Sequence, residues 1–293
     1  MSKSEHTVFC CSNILTLREA LVKHPRDAFR SQDNLRDSCP GLGFDGVPDL
    51  ARAISEYDAF AALLEAEGVA LTYLSEDDST DPDSLYTHDP AVSAAGGIVL
   101  CRMGKTTRRN EAAAVGRWAS EAGVKVLGSI EAPGLLEGGD LIWIDESTVA
   151  IGIGFRSNSE GARQFGHITG TDVIEVSLPY WNGPSDVLHL MSLISPLDTD
   201  LALVFRRLLP VAFVQQLQTR GIHLVDLPES EYDSLGCNVL ALGPRRCLVV
   251  DGNPETRRRL EAAGCEVVSF QGAEIARKGQ GGPTCLTRPL VRR

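Results

Sequence analysis

One local pattern recurs five times along the chain: a helix-like stretch, a glycine, then a short apolar strand. The five copies are FAALLEAEGVALTYL, RWASEAGVKVLGS, ARQFGHITGTDVIEVSL, FVQQLQTRGIHLVDL and RRRLEAAGCEVVSF. Their glycines, Gly68, Gly123, Gly170, Gly221 and Gly264, fall where a helix C-terminus favours a residue that takes positive φ. Ahead of four of these helices stands another apolar strand candidate (GGIVLCRM, STVAIGIGF, DLALVFR, RRCLVVD), and LREALVKHP fills the same slot ahead of the first. The chain therefore reads as five strand–helix–strand units of about 45 to 55 residues, most simply closed into a ring.

A length of 293 residues allows one large domain or two ordinary ones. Five similar units favour one α/β domain over residues 1–293, because splitting a ring would expose its core. No apolar run approaches the length of a membrane span, and the polar stretch Met1–Thr7, with Glu5, does not read as an export signal. The formal net charge of −11 argues against a nucleic-acid partner, which clustered Lys and Arg would attract. Eight cysteines occur without a CxxC or a histidine at zinc-ligand spacing, so neither a metal site nor a disulfide framework is expected. That usage suits a reducing cytoplasm. No GxGxxG opens a helix and no GxxxxGK[ST] occurs, so a nucleotide cofactor has no support.

Ionisable residues inside apolar or glycine-rich stretches are the candidates for chemistry. Asp89 in LYTHDPAV is either a functional acid or an Asx turn before Pro90. Glu137 and Asp140 flank a glycine pair in LLEGGDLIWI, where the backbone either approaches a ligand closely or leads into a hairpin. His189 lies in the strand-like DVLHLMSLI, as a satisfied core histidine or a proton carrier. Arg108 and Arg109 read by default as cap or surface residues; Arg156, after the apolar IGIGF, does so less. Cys285 follows a Gly-Gly-Pro loop, and a nucleophilic thiol would need a nearby histidine or cation to lower its pKa. The other cysteines, Cys10 and Cys11 included, read as core, and the basic tail of Arg288, Arg292 and Arg293 as solvated surface. As a set, a thiol, a histidine, carboxylates and arginines suit a substrate that is cationic at one end and a carboxylate at the other.

Nine segments, EALVKHP, SEYDAFAALLEAEGVALTYL, LYTHDP, TTRRNE, LEGGDLIWI, GFRSN, LHLMS, GCNVLALG and GGPTCLT, stand in the order found in the guanidino-group-modifying enzymes. The chain resembles that superfamily (dimethylarginine dimethylaminohydrolase, arginine deiminase and the amidinotransferases), and the first of these most. The resemblance implies a five-bladed, pentein-like α/β propeller with an axial site and no metal or organic cofactor. It implies Cys285 as nucleophile of a covalent thiouronium intermediate, His189 as general acid and base, and Glu137 as the acid that positions the histidine and the guanidinium. Asp89 would bind the guanidinium and Arg108 with Arg156 the substrate carboxylate; Asp140 joins the substrate-binding set.

The implied partner is a small arginine-like molecule, and the sequence leaves room for a homo-oligomer. Met191 stands where deiminases and amidinotransferases carry a second guanidinium-binding Asp, which tilts the reading towards N-methylated arginine and release of citrulline with a methylamine. Against this, GGPTC is closer to the deiminase loop, and His88 stands where dimethylarginine hydrolases usually show an acid. Arginine deiminase, amidinotransferase, a hydrolase of another guanidino compound and a catalytically silent binding protein are the alternatives.

Overall fold

The computed structural model describes residues 8–184 and 186–293; Met1–Thr7, read above as no export signal, lie outside the described residues. The five joint glycines all adopt φ between 72° and 86°, and each ends a helix as the repeat requires. The helices are α1 (Leu50–Ala66), α2 (Arg109–Ala122), α3 (Ser159–Thr169), α4 (Val211–Thr219) and α5 (Pro254–Ala262). Two shorter helices, Pro25–Phe29 and Gln32–Leu42, fill the connection that precedes α1.

Each repeat contributes one three-stranded sheet. The middle strands are β1 (Leu17–Lys23), β4 (Gly97–Leu100), β7 (Thr148–Ile153), β10 (Leu201–Val204) and β13 (Arg246–Val250). Each pairs in parallel, across its helix, with the strand after the glycine: β2 (Ala70–Leu74), β5 (Val126–Ser129), β8 (Asp172–Ser177), β11 (His223–Asp226) and β14 (Glu266–Phe270). On its other edge each middle strand pairs antiparallel with a strand the repeat did not reveal: β15 (Arg288–Arg292), β3 (Ala91–Ala94), β6 (Leu141–Trp143), β9 (Ile194–Asp198) or β12 (Leu240–Gly243). These added strands are short and almost wholly buried on both faces, so they show no alternation of apolar and polar residues.

The parallel outer strands carry most of the sheets' exposed positions, which places the antiparallel set at the axis. The last strand, β15, completes the first sheet by pairing with β1, so the ring closes through the two ends of the chain. Apolar clusters sit between successive sheets around the ring. One joins the third, fourth and fifth sheets, one the fifth and first, one the second and third, and one the first and second. The architecture is an α/β propeller of five blades. Among the described residues no helix is long and apolar enough to cross a membrane.

Two expectations need correction. His189 is not in a strand; it has extended backbone just ahead of a 3-10 turn, Leu190–Ser192, that leads into β9. The basic tail is not solvated surface, for Arg288 and Arg292 are only 5% and 2% exposed. They belong to β15, where only Arg293 beyond its end is exposed.

Candidate active site

The inner strands explain why the candidate residues meet. Asp89 stands two residues before β3, Glu137 and Asp140 lie just before β6, His189 before β9, Asn238 two residues before β12, and Cys285 before β15. Every blade thus delivers one segment to the same end of the axis. Asn238 is the fifth blade's contribution, and sequence reasoning missed it. Its signal is positional: it occupies in its repeat the slot that Asp89 occupies in another.

The glycine pair of LLEGGDLIWI serves close approach. A Cβ at Gly139 would lie 2.5 Å from His189 Nδ1 and 2.9 Å from Asp89 Oδ1, and one at Gly138 would strike the His88 carbonyl and Arg288. With no side chain there, Gly139 N–H donates to Asp89 Oδ1 at 2.9 Å. Asp89 is therefore not an Asx-turn residue; its other oxygen accepts from Arg108 at 2.6 Å. Burial opposes its charge, but Arg108 and His189 outweigh that and hold the carboxyl well below its usual range.

Glu137 is fully buried and fixes the histidine. Its Oε2 pairs with His189 Nε2 at 2.7 Å and accepts from Arg156 at 2.9 Å, while Oε1 accepts from Lys105 N–H at 3.0 Å. Burial disfavours an imidazolium at His189, yet Asp140, Asp89 and Glu137 together raise its pKa to about 9. His189 is thus a cation at neutral pH, with Nδ1 the ring nitrogen not engaged by Glu137.

Of the eight cysteines, all described, seven are buried and Cys285 alone is partly exposed. Asn238 Nδ2 donates to its Sγ at 3.1 Å, and Asn238 Oδ1 accepts from Thr284 N–H at 3.1 Å. Desolvation, reinforced by Asp89, pushes the Cys285 thiol up to about 12. Asn238 and Arg108 act in the opposite direction but do not offset this, and the thiol is neutral.

Two recesses meet at Cys285 and His189. The wider, of about 340 Å³, is lined by His88, Gly139, Trp181, Met191 and Asn238, with Asp45, Asp186 and Asp233 also contributing. The narrower, of about 40 Å³, is lined by Asp83, Asp89, Lys105, Arg108 and Arg156. The side beside Met191 is neutral, since burial holds His88 down at about 3 and its Nδ1 bonds Thr287 O at 2.8 Å.

The remaining candidates are brought near but differently used. Arg108 makes four hydrogen bonds, two to Glu111, one to Asp89 and one to Tyr86 O, so four of its five N–H groups are committed. Only one stays free for a substrate carboxylate. Arg156 has its bond to Glu137 and lines the narrow recess. Asp140 lines neither recess; its oxygens accept from Ser157 Oγ at 2.6 Å and Leu190 N–H at 3.0 Å. It ties the turn carrying His189 to the third blade and faces neither recess. Asp83, paired with Lys105 at 2.6 Å, and Glu111 were not foreseen, because only the fold brings them beside Asp89 and Arg108.

Asp89, Glu137 and His189 cluster closely enough to suggest a metal site. Their facing atoms already bind Arg108, Arg156 and each other, so a divalent cation would have to displace two guanidinium groups. The donor set does not fit a metal.

The sequence profile described as "N,N dimethylarginine dimethylhydrolase, eukaryotic" matches residues 47–292. The chain belongs to this family. Among its relatives, the N(G),N(G)-dimethylarginine dimethylaminohydrolase of Pseudomonas aeruginosa is 27% identical over 244 residues, covering 83% of this chain and 90% of the relative. The solved structure of the Pseudomonas aeruginosa enzyme with citrulline, 24% identical, superposes with a TM-score of 0.74 over 93% of this chain and 99% of that one. The N-terminal domain of ArgZ, a cyanobacterial arginine dihydrolase, shares the fold at 17% identity, with a TM-score of 0.78 over 94% and 97% of the two chains. The propeller is therefore the pentein fold common to the dimethylarginine dimethylaminohydrolase family and its neighbours.

Proposed function

We propose that the protein is a hydrolase that cleaves a C–N bond of an N-methylated arginine, giving citrulline and methylamine or dimethylamine. The observation that carries this reading is Met191 in a neutral wall, beside a thiol and an imidazolium that share one cavity. Residues 1–293 act as one catalytic domain, in keeping with a ring closed by β15 on β1.

A guanidinium entering beside Asp89 brings a further positive charge to Cys285 and offsets the Asp89 carboxylate that raises its pKa. Its charge favours loss of the thiol proton to solvent, and the thiolate attacks the guanidinium carbon to form a C–S bond. His189 then gives its proton to the methylated nitrogen, the C–N bond breaks and the amine leaves. General acid assistance of this kind contributes about 10² to 10⁴ in rate. Neutral His189 takes a proton from water as the hydroxide attacks the amidinium thioether; the C–S bond breaks and the ureido product leaves.

Glu137 holds the imidazole in place throughout. Asn238 orients Cys285, and Arg108 holds Asp89. Arg156, in the narrow recess, receives the substrate carboxylate, assisted by the one free N–H of Arg108. The acidic residues around the wider mouth favour approach of a cation.

The test is to incubate the protein separately with asymmetric dimethylarginine and arginine, measuring ureido product and released amine. Faster turnover of dimethylarginine is expected. Faster citrulline and ammonia release from arginine would replace this reading with a deiminase, and turnover only with an added acceptor amine would indicate an amidinotransferase.

A further inference from the structure

Behind the catalytic cavity lies a second, smaller recess of about 10 Å³, room for roughly one water-sized sphere. Its lining includes Asn13, Pro289 and Arg292, and it shares His88, Met191 and Thr284 with the wall of the substrate cavity. No carboxylate lines it among the described residues.

The chemistry around this space is one-sided. Four buried side-chain nitrogen or oxygen atoms lack a hydrogen-bond partner among the described residues, and three of them are Thr284 Oγ1, Arg288 Nε and Arg292 Nε. Thr284 and Arg292 line the space itself, while Arg288 lies four residues earlier on β15. Arg288 is anchored to His88 O, Arg292 to Leu15 O at 2.5 Å and to the Cys10 thiol, and no ion pair of either with a carboxylate is found among the described residues. Asp89, the acid that acts on Arg288, is already held by Arg108. Cys10 lies beside Arg292, but burial pushes its thiol up, so it supplies no negative charge.

A buried guanidinium without a counter-charge is strongly unfavourable, and two on one strand that also repel each other are more so. The unfilled donors, the absence of a lining carboxylate and the size of the space specify the same class of ligand. We propose that this axial cavity binds a small monovalent inorganic anion of halide size, held by Arg292 and the Thr284 hydroxyl with Arg288 adding charge. Tetrahedral oxyanions are too large for it. The anion would tie β15, which closes the ring, to the floor of the active site, and so act on stability rather than on the chemical step.

The test compares chloride, bromide and gluconate at equal ionic strength on the full chain. A saturable rise in Tm of roughly 2–4 °C is expected with either halide and not with gluconate. Arg292→Gln should lose the halide-specific rise. Crystals of the unaltered protein in sodium bromide give a readout that does not depend on the variant folding: an anomalous bromide peak in the cavity. No peak there, a rise of equal size with gluconate, or a halide rise retained in Arg292→Gln would each overturn the proposal.

Discussion

Glu137 Oε2 sits 2.7 Å from His189 Nε2 and is fully shielded from water, so the histidine is held as a cation by a carboxylate that solvent cannot screen. The pH dependence follows from that pair. A histidine whose pKa rises on folding from 6.5 to about 9 adds stability that is complete below pH 6.5 and lost as pH rises through 9. Urea unfolding between pH 6.5 and 9 should show this decline, and His189→Asn should flatten it. For catalysis, Glu137→Gln should move the alkaline limb of kcat/KM down by a unit or more and lower its plateau. An unmoved alkaline limb would mean that another group is the acid.

Cys285 offers a second pH signature, because its thiol is pushed up to about 12 until a cation arrives. At pH 7 a neutral alkylating agent such as iodoacetamide should react slowly, and a cationic amidine electrophile of similar intrinsic reactivity at least 10-fold faster. Equal rates would show that the thiolate pre-exists. Cys285→Ala should remove turnover while leaving the circular dichroism spectrum intact.

Met191 sets the neutral wall of the cavity. Met191→Asp should raise the preference for unsubstituted arginine over dimethylarginine by about 10- to 100-fold in kcat/KM, the equivalent of one charge-assisted hydrogen bond of about 1.5–3 kcal/mol. A ratio that does not change would separate substrate choice from this residue.

At Gly139 the limit is steric. Because a methyl group there would stand 2.5 Å from His189 Nδ1, Gly139→Ala should cut kcat at least 100-fold and cost about 1–3 kcal/mol of stability. Gly170→Ala provides the contrast: nothing lies within 4 Å of its added carbon, so it should lose about 1 kcal/mol through its positive φ and keep its activity.

Asn238 bridges Cys285 Sγ and Thr284 N–H. Asn238→Ala should reduce kcat by about 10-fold and stability by about 1 kcal/mol, with KM changed less than twofold. A large KM change instead would place Asn238 on the substrate rather than on the nucleophile.

The five helix-ending glycines were legible because positive φ is a local demand, met or refused by one residue whatever surrounds it. Middle and outer strands followed from the same repeat. The inner strands did not, since three to five residues buried on both faces carry no period, and β15 presents Arg288 and Arg292, which read as surface until the ring encloses them. Within the candidate site, Cys285, His189, Glu137 and Asp89 stood out as ionisable groups in apolar or glycine-rich settings, and the fold gathers all four. Asn238 is neutral and carried no such mark.

By itself, then, the sequence determined the repeat, its closure into a ring and the residue types delivered to the axis, all consequences of short-range backbone preference and side-chain chemistry. Only the tertiary structure decided how those groups are partnered. It ties up Arg108 with Glu111 and Asp89, and turns Asp140 towards Ser157 and Leu190, outside both recesses. It also leaves Arg288 Nε and Arg292 Nε buried without a hydrogen-bond partner among the described residues. The reason is that charge pairing depends on distances between segments far apart in the chain, and burial multiplies the energy of each such distance, so neither can be read one residue at a time.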